Sequence, residues 1–295
     1  MQKPFLRRRR IIGPAFPYNI GIVGPAAAPP AYVGAGDALG APIIYGGLRS
    51  LYAAAASVLS VALKFNTGSA IGYYTIAGGG LNLSTYASDL ATFGSPVNVS
   101  TFYDQSGTNN HWIAGTMPNW NLTGMGSLPS IDYVSSTPSY LTTTVNIAAA
   151  INQPFTIAFV ARCTNAAFGS YQYVLSDSAG GGSAALSFSP SAVPPNVGSY
   201  AGGAAAAIQT VTVGTFAAIV CILNGTSSAT YVNGTSGSTA SIGTSGLIVG
   251  QLWLGNSTDT PHGLDGGIVE LGIWSGDKSS SVGAFTSGAR NFYGF

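Results

Sequence analysis

Charge is what this sequence has least of. Only 6% of its 295 residues are Asp, Glu, Lys or Arg, against about 25% in an ordinary soluble domain. That excludes a coiled coil or a solvated helical bundle, whose polar faces are built from Glu and Lys. It also excludes disorder driven by charge repulsion. Half of the ten basic residues (Lys3 and Arg7, Arg8, Arg9 and Arg10) lie in the first ten positions, which leaves five basic against nine acidic side chains beyond them. A folded region of that balance has no clustered cations with which to neutralise nucleic-acid phosphates. No charge occurs between Ser178 and Thr258. Gly, Ser, Pro and Asn interrupt that stretch too often for a run of about 20 apolar residues, so no membrane span is expected.

Cysteine and histidine are nearly missing as well. Cys163 and Cys221 sit inside the apolar runs FTIAFVARC and TFAAIVCIL and read as two buried free thiols. A single disulfide stays open if those strands are neighbours. Two His and two Cys, all far apart, offer no zinc spacing. No G-x-S-x-G elbow is present, and the glycine runs lack the lysine and helix of a phosphate loop.

What is present is apolar (46%) and rich in glycine, with 41 Gly and 16 Pro. Residues 1–40 read as an extended arm. A basic head is followed by Pro14, Pro17, Pro25, Pro29 and Pro30, which spoil the apolar stretch a signal peptide needs. From residue 41 to 295 the pattern is globular. GGLRSLYAAAASVLS carries a short helical stretch, LSTYASDLATFG a short helix with Ser84 or Thr85 near its N-cap, and SVGAFTSGARNFYG a third. Almost everything after residue 130 alternates strand and turn at the spacing of a sandwich, among them FTIAFVAR, FAAIVCIL and GGIVELGIWSG. The expected fold is all-β, a two-sheet jelly roll with few short helices.

Two segments carry a resemblance. GGLRSLYAAAASVLSVALKF, the LSTYASDLATFG helix and VSTFYDQSGTNNHWIAG resemble the N-terminal half of the catalytic domain of fungal-type α-L-arabinofuranosidase B, a module also found in bacteriophage structural proteins. Tyr103-Asp104-Gln105-Ser106-Gly107 is its most specific signature. FTIAFVAR, TFAAIVCILNGTSSATYVNGT, LIVGQLWLG and LDGGIVELGIWSGD resemble a concanavalin A-like, laminin-G-like jelly roll. The resemblance implies a concave face that holds sugar. It also implies a Glu nucleophile in the region of residues 183–195, where no carboxylate occurs, and an acid where Leu254-Gly255-Asn256 stands. Asparagine cannot protonate a leaving group, and the nearest acid, Asp259, lies three residues on. Paired carboxylates are what glycoside hydrolysis needs, so no catalytic residue and no enzyme is expected.

The other candidates are aromatic and amide side chains, which stack on sugars and read their hydroxyls. His111, Trp112, Asn119, Trp120 and Asn121 fall within eleven residues, and Trp253, Asn256 and Asp259 within seven. Trp112, Trp253 and Trp274 read singly as core residues, and Trp120, between two asparagines, as the exposed one. Asp104 reads as a turn cap, and Glu270, the one Glu, as a structural residue meeting backbone or an Arg. Asp259, His262 and Asp265 share a loop in which Ca²⁺ is conceivable, although an Asx-rich turn is the simpler reading and no cofactor is expected. The leading expectation is a non-enzymatic bacteriophage virion protein, a head-decoration, head-fibre or tail-associated subunit on the particle surface. Arg7 to Arg10 would anchor it among copies of itself and other virion proteins, and its jelly roll could meet host glycans. The alternatives are a secreted arabinofuranosidase-like hydrolase and a stand-alone carbohydrate-binding module.

Overall fold

Three apolar runs dictate the centre of the molecule. FTIAFVARC, AAIVCIL and GGIVELGIWS are rich in β-branched and aromatic residues and run almost without a polar break, the pattern of strands covered on both faces. In the computed structural model they lie side by side. The structure describes residues 32–295, apart from 55–56, 66–69, 78, 137, 146–149, 166–170, 178–183, 191, 204–205, 248–249 and 257–261. Arg7 to Arg10 and Asp259 lie outside the described residues.

Nineteen strands and three helices are described, in the order α1 (Ala35–Leu39), β1 (Ile44–Gly47), β2 (Val58–Lys64), β3 (Ile71–Ala77), β4 (Gly80–Leu81), α2 (Tyr86–Phe93), β5 (Asn98–Phe102), β6 (Trp112–Thr116), β7 (Asn119–Met125), β8 (Leu128–Tyr133), β9 (Tyr140–Thr143), β10 (Phe155–Cys163), β11 (Gln172–Asp177), β12 (Ala185–Ser189), β13 (Asn196–Tyr200), β14 (Ala207–Thr210), β15 (Ala217–Leu223), β16 (Ala229–Val232), β17 (Thr235–Ser236), β18 (Leu252–Leu254), β19 (Gly266–Ser275) and α3 (Val282–Tyr293). Every described pairing between named strands is antiparallel. One layer runs β3–β2–β5–β6–β9–β18–β11–β12–β13–β14. The other runs from β1 and β8, which share one edge of β19, through β10 and β15 to β16 and β17. β7 joins the layers, pairing with β8 and meeting β5 at Asn98–Asn119. This is the expected two-layer jelly roll.

The second layer is buried on both faces because α3 packs across β15. Val282, Phe285, Ala289 and Tyr293 recur at three- and four-residue steps and form the helix's buried stripe. α2 is also present as expected, though Thr85 at its N-cap makes no side-chain capping bond. The helical stretch expected in GGLRSLYAAAASVLS is not found among its described residues. There the chain is held by tertiary bonds instead, because Arg49 is pulled into the core.

Arg49 and Glu270 form an ion pair with neither side chain exposed. The guanidinium meets both carboxylate oxygens, Nη2 donating to Oε1 at 2.8 Å, and Nη1 donates to the Val33 carbonyl at 3.0 Å. The hydroxyls of Tyr45 and Tyr293 each donate to Glu270 at 3.1 Å. Glu270 is thus the structural residue the sequence led us to expect. Burial and the Glu270 charge push both tyrosines well above the ordinary phenol range. Tyr32 donates to the Ser50 carbonyl and packs edge-on against Phe292. Residues 32–40, expected in the arm, therefore pack as part of the domain.

The Tyr103–Gly107 signature is a second structural knot. The Asp104 carboxylate accepts from the Tyr45 and Ser106 amides (3.0 and 2.9 Å), the Ser106 and Thr108 hydroxyls (2.8 and 2.7 Å) and the Asn110 amide (3.2 Å). Gln105 donates to the Gly47 carbonyl and accepts from the Leu51 amide. Gly107 turns the chain at φ 89°, a backbone value that L side chains rarely adopt. The motif ties the loop between β5 and β6 to the segment carrying Arg49.

Cys163 and Cys221 are free and buried. Their strands are neighbours, but Cys221 stands opposite Ile157, six positions from Cys163. At about 3.3 Å per residue this separates them by about 20 Å, beyond disulfide reach. Burial raises their thiols to about 11 and about 12.

Removing one member of a buried ion pair strands the other charge, at a cost of about 3–5 kcal/mol. Arg49→Met is expected to lose that much in urea unfolding. Arg49→Met combined with Glu270→Met is expected to lose less than the single change. A double variant that loses the sum of both singles would contradict this account of the pair.

Candidate functional site

β7 and β8 form a hairpin closed at Gly126-Ser127, and the strand period decides what each β7 residue faces. Asn119 is exposed and Asn121 half-buried, while Trp120 between them turns inward and is only 7% exposed. The expectation of an exposed Trp120 is therefore corrected: its polar neighbours mark the other face of the same strand. Even so, Trp120 contributes to a surface groove of about 810 Å³. α2, Ser95–Val97 and β7 line it together with Asp132–Val134, Arg162, Thr164, Asp265 and Gly266. Burial pushes the Tyr86 hydroxyl up, with the Trp120 indole opposing that shift.

The polar side chains of the groove are tightly organised. Asp132 accepts from Asn121 Nδ2 at 2.7 Å and from the Ser130 hydroxyl at 2.6 Å. Arg162 Nη2 lies 3.5 Å from Asp132, and its guanidinium sits over the Phe216 ring, 4.7 Å from the centroid. A Cβ at Gly267 would fall 2.7 Å from Asp132 and 2.9 Å from Phe216, so only glycine leaves room for this arrangement. Asp265 accepts from the Ser135 amide and hydroxyl (3.1 and 2.8 Å) and from Asn165 (2.8 Å). Burial opposes ionisation of Asp265, but those donors prevail and hold its carboxyl below the usual range.

The remaining sequence candidates go elsewhere. Trp112 is fully buried in the core. His111 accepts from the Asp104 amide at 3.2 Å and meets Tyr103 edge-on. Trp253 is half-buried and tilts against Tyr140, ring centroids 4.6 Å apart, in one cross-strand row with Ile113 and Thr142. Asn256 is buried at the end of β18. The structure thus gathers Asn119, Trp120 and Asn121 in one groove and leaves His111, Trp112, Trp253 and Asn256 out of it. Among the described residues no three His, Cys, Asp or Glu converge as a metal cluster, and no described helix is long and apolar enough to cross a membrane.

Sequence reasoning missed Asp132, Arg162 and the placement of Asp265. A signal did exist for Arg162: it is the one charge in the nine-residue apolar strand Phe155–Cys163. Its partner lies thirty positions earlier on a strand that β10 does not pair with, so the pairing itself was not legible.

Comparison with known proteins agrees with this geometry. Residues 135–281 match the profile of the concanavalin A-like lectin/glucanases superfamily. An arabinofuranosidase complexed with arabinofuranosyl-α-1,2-xylobiose is similar over 84% of this chain and 62% of its own, at 14% identity and a TM-score of 0.58. An α-L-arabinofuranosidase soaked with a cyclic sulfate inhibitor gives the same identity and coverage and a TM-score of 0.59. The chain spans less than two thirds of the length of these two enzymes. No curated protein matches the sequence. The fold is that of a concanavalin A-like jelly roll.

Because the Asp265 carboxyl is held low, the stability it contributes is present above the unfolded aspartate range, near pH 4, and is lost as pH falls through the folded value. Wild type is expected to exceed Asp265→Asn in melting temperature at neutral pH, with the margin closing below about pH 4. A margin independent of pH would contradict the assignment. Trp120→Ala is expected to cost about 3–5 kcal/mol, as a buried aromatic does; an unchanged melting temperature would restore it to the surface.

Proposed function

We propose that this chain is a non-catalytic, glycan-binding jelly roll displayed on a bacteriophage virion. The observation that carries the reading is the groove lined by Asn119, Trp120, Asn121, Asp132 and Arg162. Planar amide, carboxylate and guanidinium groups beside an aromatic are the usual means of reading sugar hydroxyls. The two arabinofuranosidases of similar fold act as precedent for sugar in such a scaffold, though fold alone does not transfer activity.

Chemistry argues against hydrolysis. A glycosidase needs one carboxyl raised so that it can act as an acid, beside a second that is a nucleophile or base. Asp265 is shifted the opposite way, and Asp132 is engaged by Asn121, Ser130 and Arg162. Asn256 stands where the resembling enzymes place their acid, and residues 183–195 hold no carboxylate. Display on a particle is supported by the Tyr103–Gly107 module, by the four adjacent cations Arg7 to Arg10, and by a surface so poor in charge that it suits packing among copies of itself and other virion proteins. A shallow groove gives weak single sites, about −4 kcal/mol at millimolar affinity, and repetition on a particle raises avidity without new contacts.

Glycan-array binding by the assembled protein, lost in Asn119→Ala at unchanged melting temperature, is the expected result. 4-Nitrophenyl α-L-arabinofuranoside should be released at the background rate. Ordinary turnover abolished by Asp132→Asn or Asp265→Asn would instead establish a hydrolase. Deleting residues 1–31 is expected to leave the domain folded and abolish incorporation into particles. The cut belongs there because Tyr32 and Val33 bond to the core. Normal incorporation of the truncated protein would refute anchoring by the arm.

A further inference from the structure

We infer that the groove selects glycans carrying a carboxylate, of the uronic or sialic acid class, and that Arg162 is the side chain that reads it. The inference rests on the glycan-binding reading above and adds the chemistry of the ligand.

The two carboxylates of the groove are already engaged by donors of the protein itself. Both oxygens of Asp132 are taken, one by Ser130 and the other by Asn121. Both oxygens of Asp265 are taken, one by the Ser135 amide and the other by the Ser135 hydroxyl and Asn165. Donors remain: among the described residues, the buried Arg162 Nε and the Tyr133 hydroxyl have no hydrogen-bond partner. Among the described residues, the polar contact of the Arg162 terminal nitrogens is the one to Asp132 at 3.5 Å, well beyond the 2.7–2.9 Å of a charge-assisted hydrogen bond. A ligand that brings acceptors would satisfy these donors.

Arg162 is also held in place before any ligand arrives. Its guanidinium sits over the Phe216 ring, 4.7 Å from the centroid, and Gly267 leaves the space that this contact and Asp132 require. A planar, fixed fork matches a carboxylate in two parallel bonds, and little side-chain freedom is lost on binding. The charges of Asp132 and Asp265 oppose an anion. Each, however, is already met by hydrogen-bond donors, while the guanidinium meets Asp132 only at 3.5 Å. A carboxylate that approaches Arg162 replaces a long contact with short ones.

The test uses two matched pairs, trigalacturonic acid with its carboxyl-reduced counterpart, and 3′-sialyllactose with lactose. Each is titrated calorimetrically into the full-length protein. In at least one pair the acidic sugar is expected to bind tenfold or more tighter. Arg162→Met, which keeps an apolar stem over Phe216, should erase that difference, so that the acidic and the neutral sugar of each pair bind alike. If that variant unfolds, Arg162→Lys serves, with a reduced preference expected because the fork is lost. Equal affinities within both pairs would overturn the inference while leaving a glycan site intact. A preference unchanged in a folded Arg162 variant would overturn the role of Arg162. Failure of all four sugars to bind would overturn the inference and the glycan-binding reading together.

Discussion

The guanidinium of Arg49 and the carboxylate of Glu270 meet where neither is exposed, and much of the fold is organised to make that tolerable. Burying two charges is costly unless geometry and additional hydrogen bonds compensate. Compensation comes from four separate places: the two-oxygen fork of Arg49, the Val33 carbonyl, and the hydroxyls of Tyr45 and Tyr293. These groups belong to the segment before α1, to β1 and the residues just after it, and to α3, while Glu270 itself stands on β19. The cluster therefore fixes where the chain enters the domain, how β1 lies on β19, and where the last helix docks. The Asp104 knot extends the same constraint, since Asp104 bonds to Tyr45 and Gln105 to the segment around Arg49.

A rigid second layer has a consequence for the groove. β19 begins at Gly266-Gly267, beside Asp265, and β10 carries Arg162 near its end. β8, which holds Asp132, pairs with β19 at Gly267. The polar side chains of the groove thus sit at the termini of strands whose centres are locked by the core. Loops have little part in positioning Asp132 and Arg162, which is why their contacts can be so specific on a chain with so few charges.

Much of this was legible in the sequence. The apolar runs of β10, β15 and β19 announce strands covered on both faces, and the spacing of Val282, Phe285, Ala289 and Tyr293 announces α3. The turn chemistry of Asp104-Gln105-Ser106-Gly107 was readable because Asp and Gly have few other reasons to stand so close together. What failed did so for physical reasons. Ala35–Leu39 lies among glycines and alanines, where composition argues for an arm, and only the tertiary bonds of Tyr32 and Val33 show that the domain has already begun. Trp120 was misread because its asparagine neighbours look solvent-exposed; Asn119 is exposed and Asn121 half-buried, and the residue between them in the strand faces the other way. Arg162 and Asp132 were missed because each is a single charge in an apolar strand, and only folding brings them together. Trp253, by contrast, was grouped with Asn256 by proximity in sequence, yet it stacks on Tyr140 while Asn256 is buried.

The central claim is that sugar is held by the groove between α2, β7 and β8 and not by the open face of the first layer. Backbone amide NMR of the protein titrated with 3′-sialyllactose tests it directly. The account predicts chemical-shift changes at residues 119–123, 132–134, 162–164 and 265–266, with Ile113, Thr142 and Trp253 unmoved. Changes centred on Ile113, Thr142 and Trp253, with the groove silent, would contradict it.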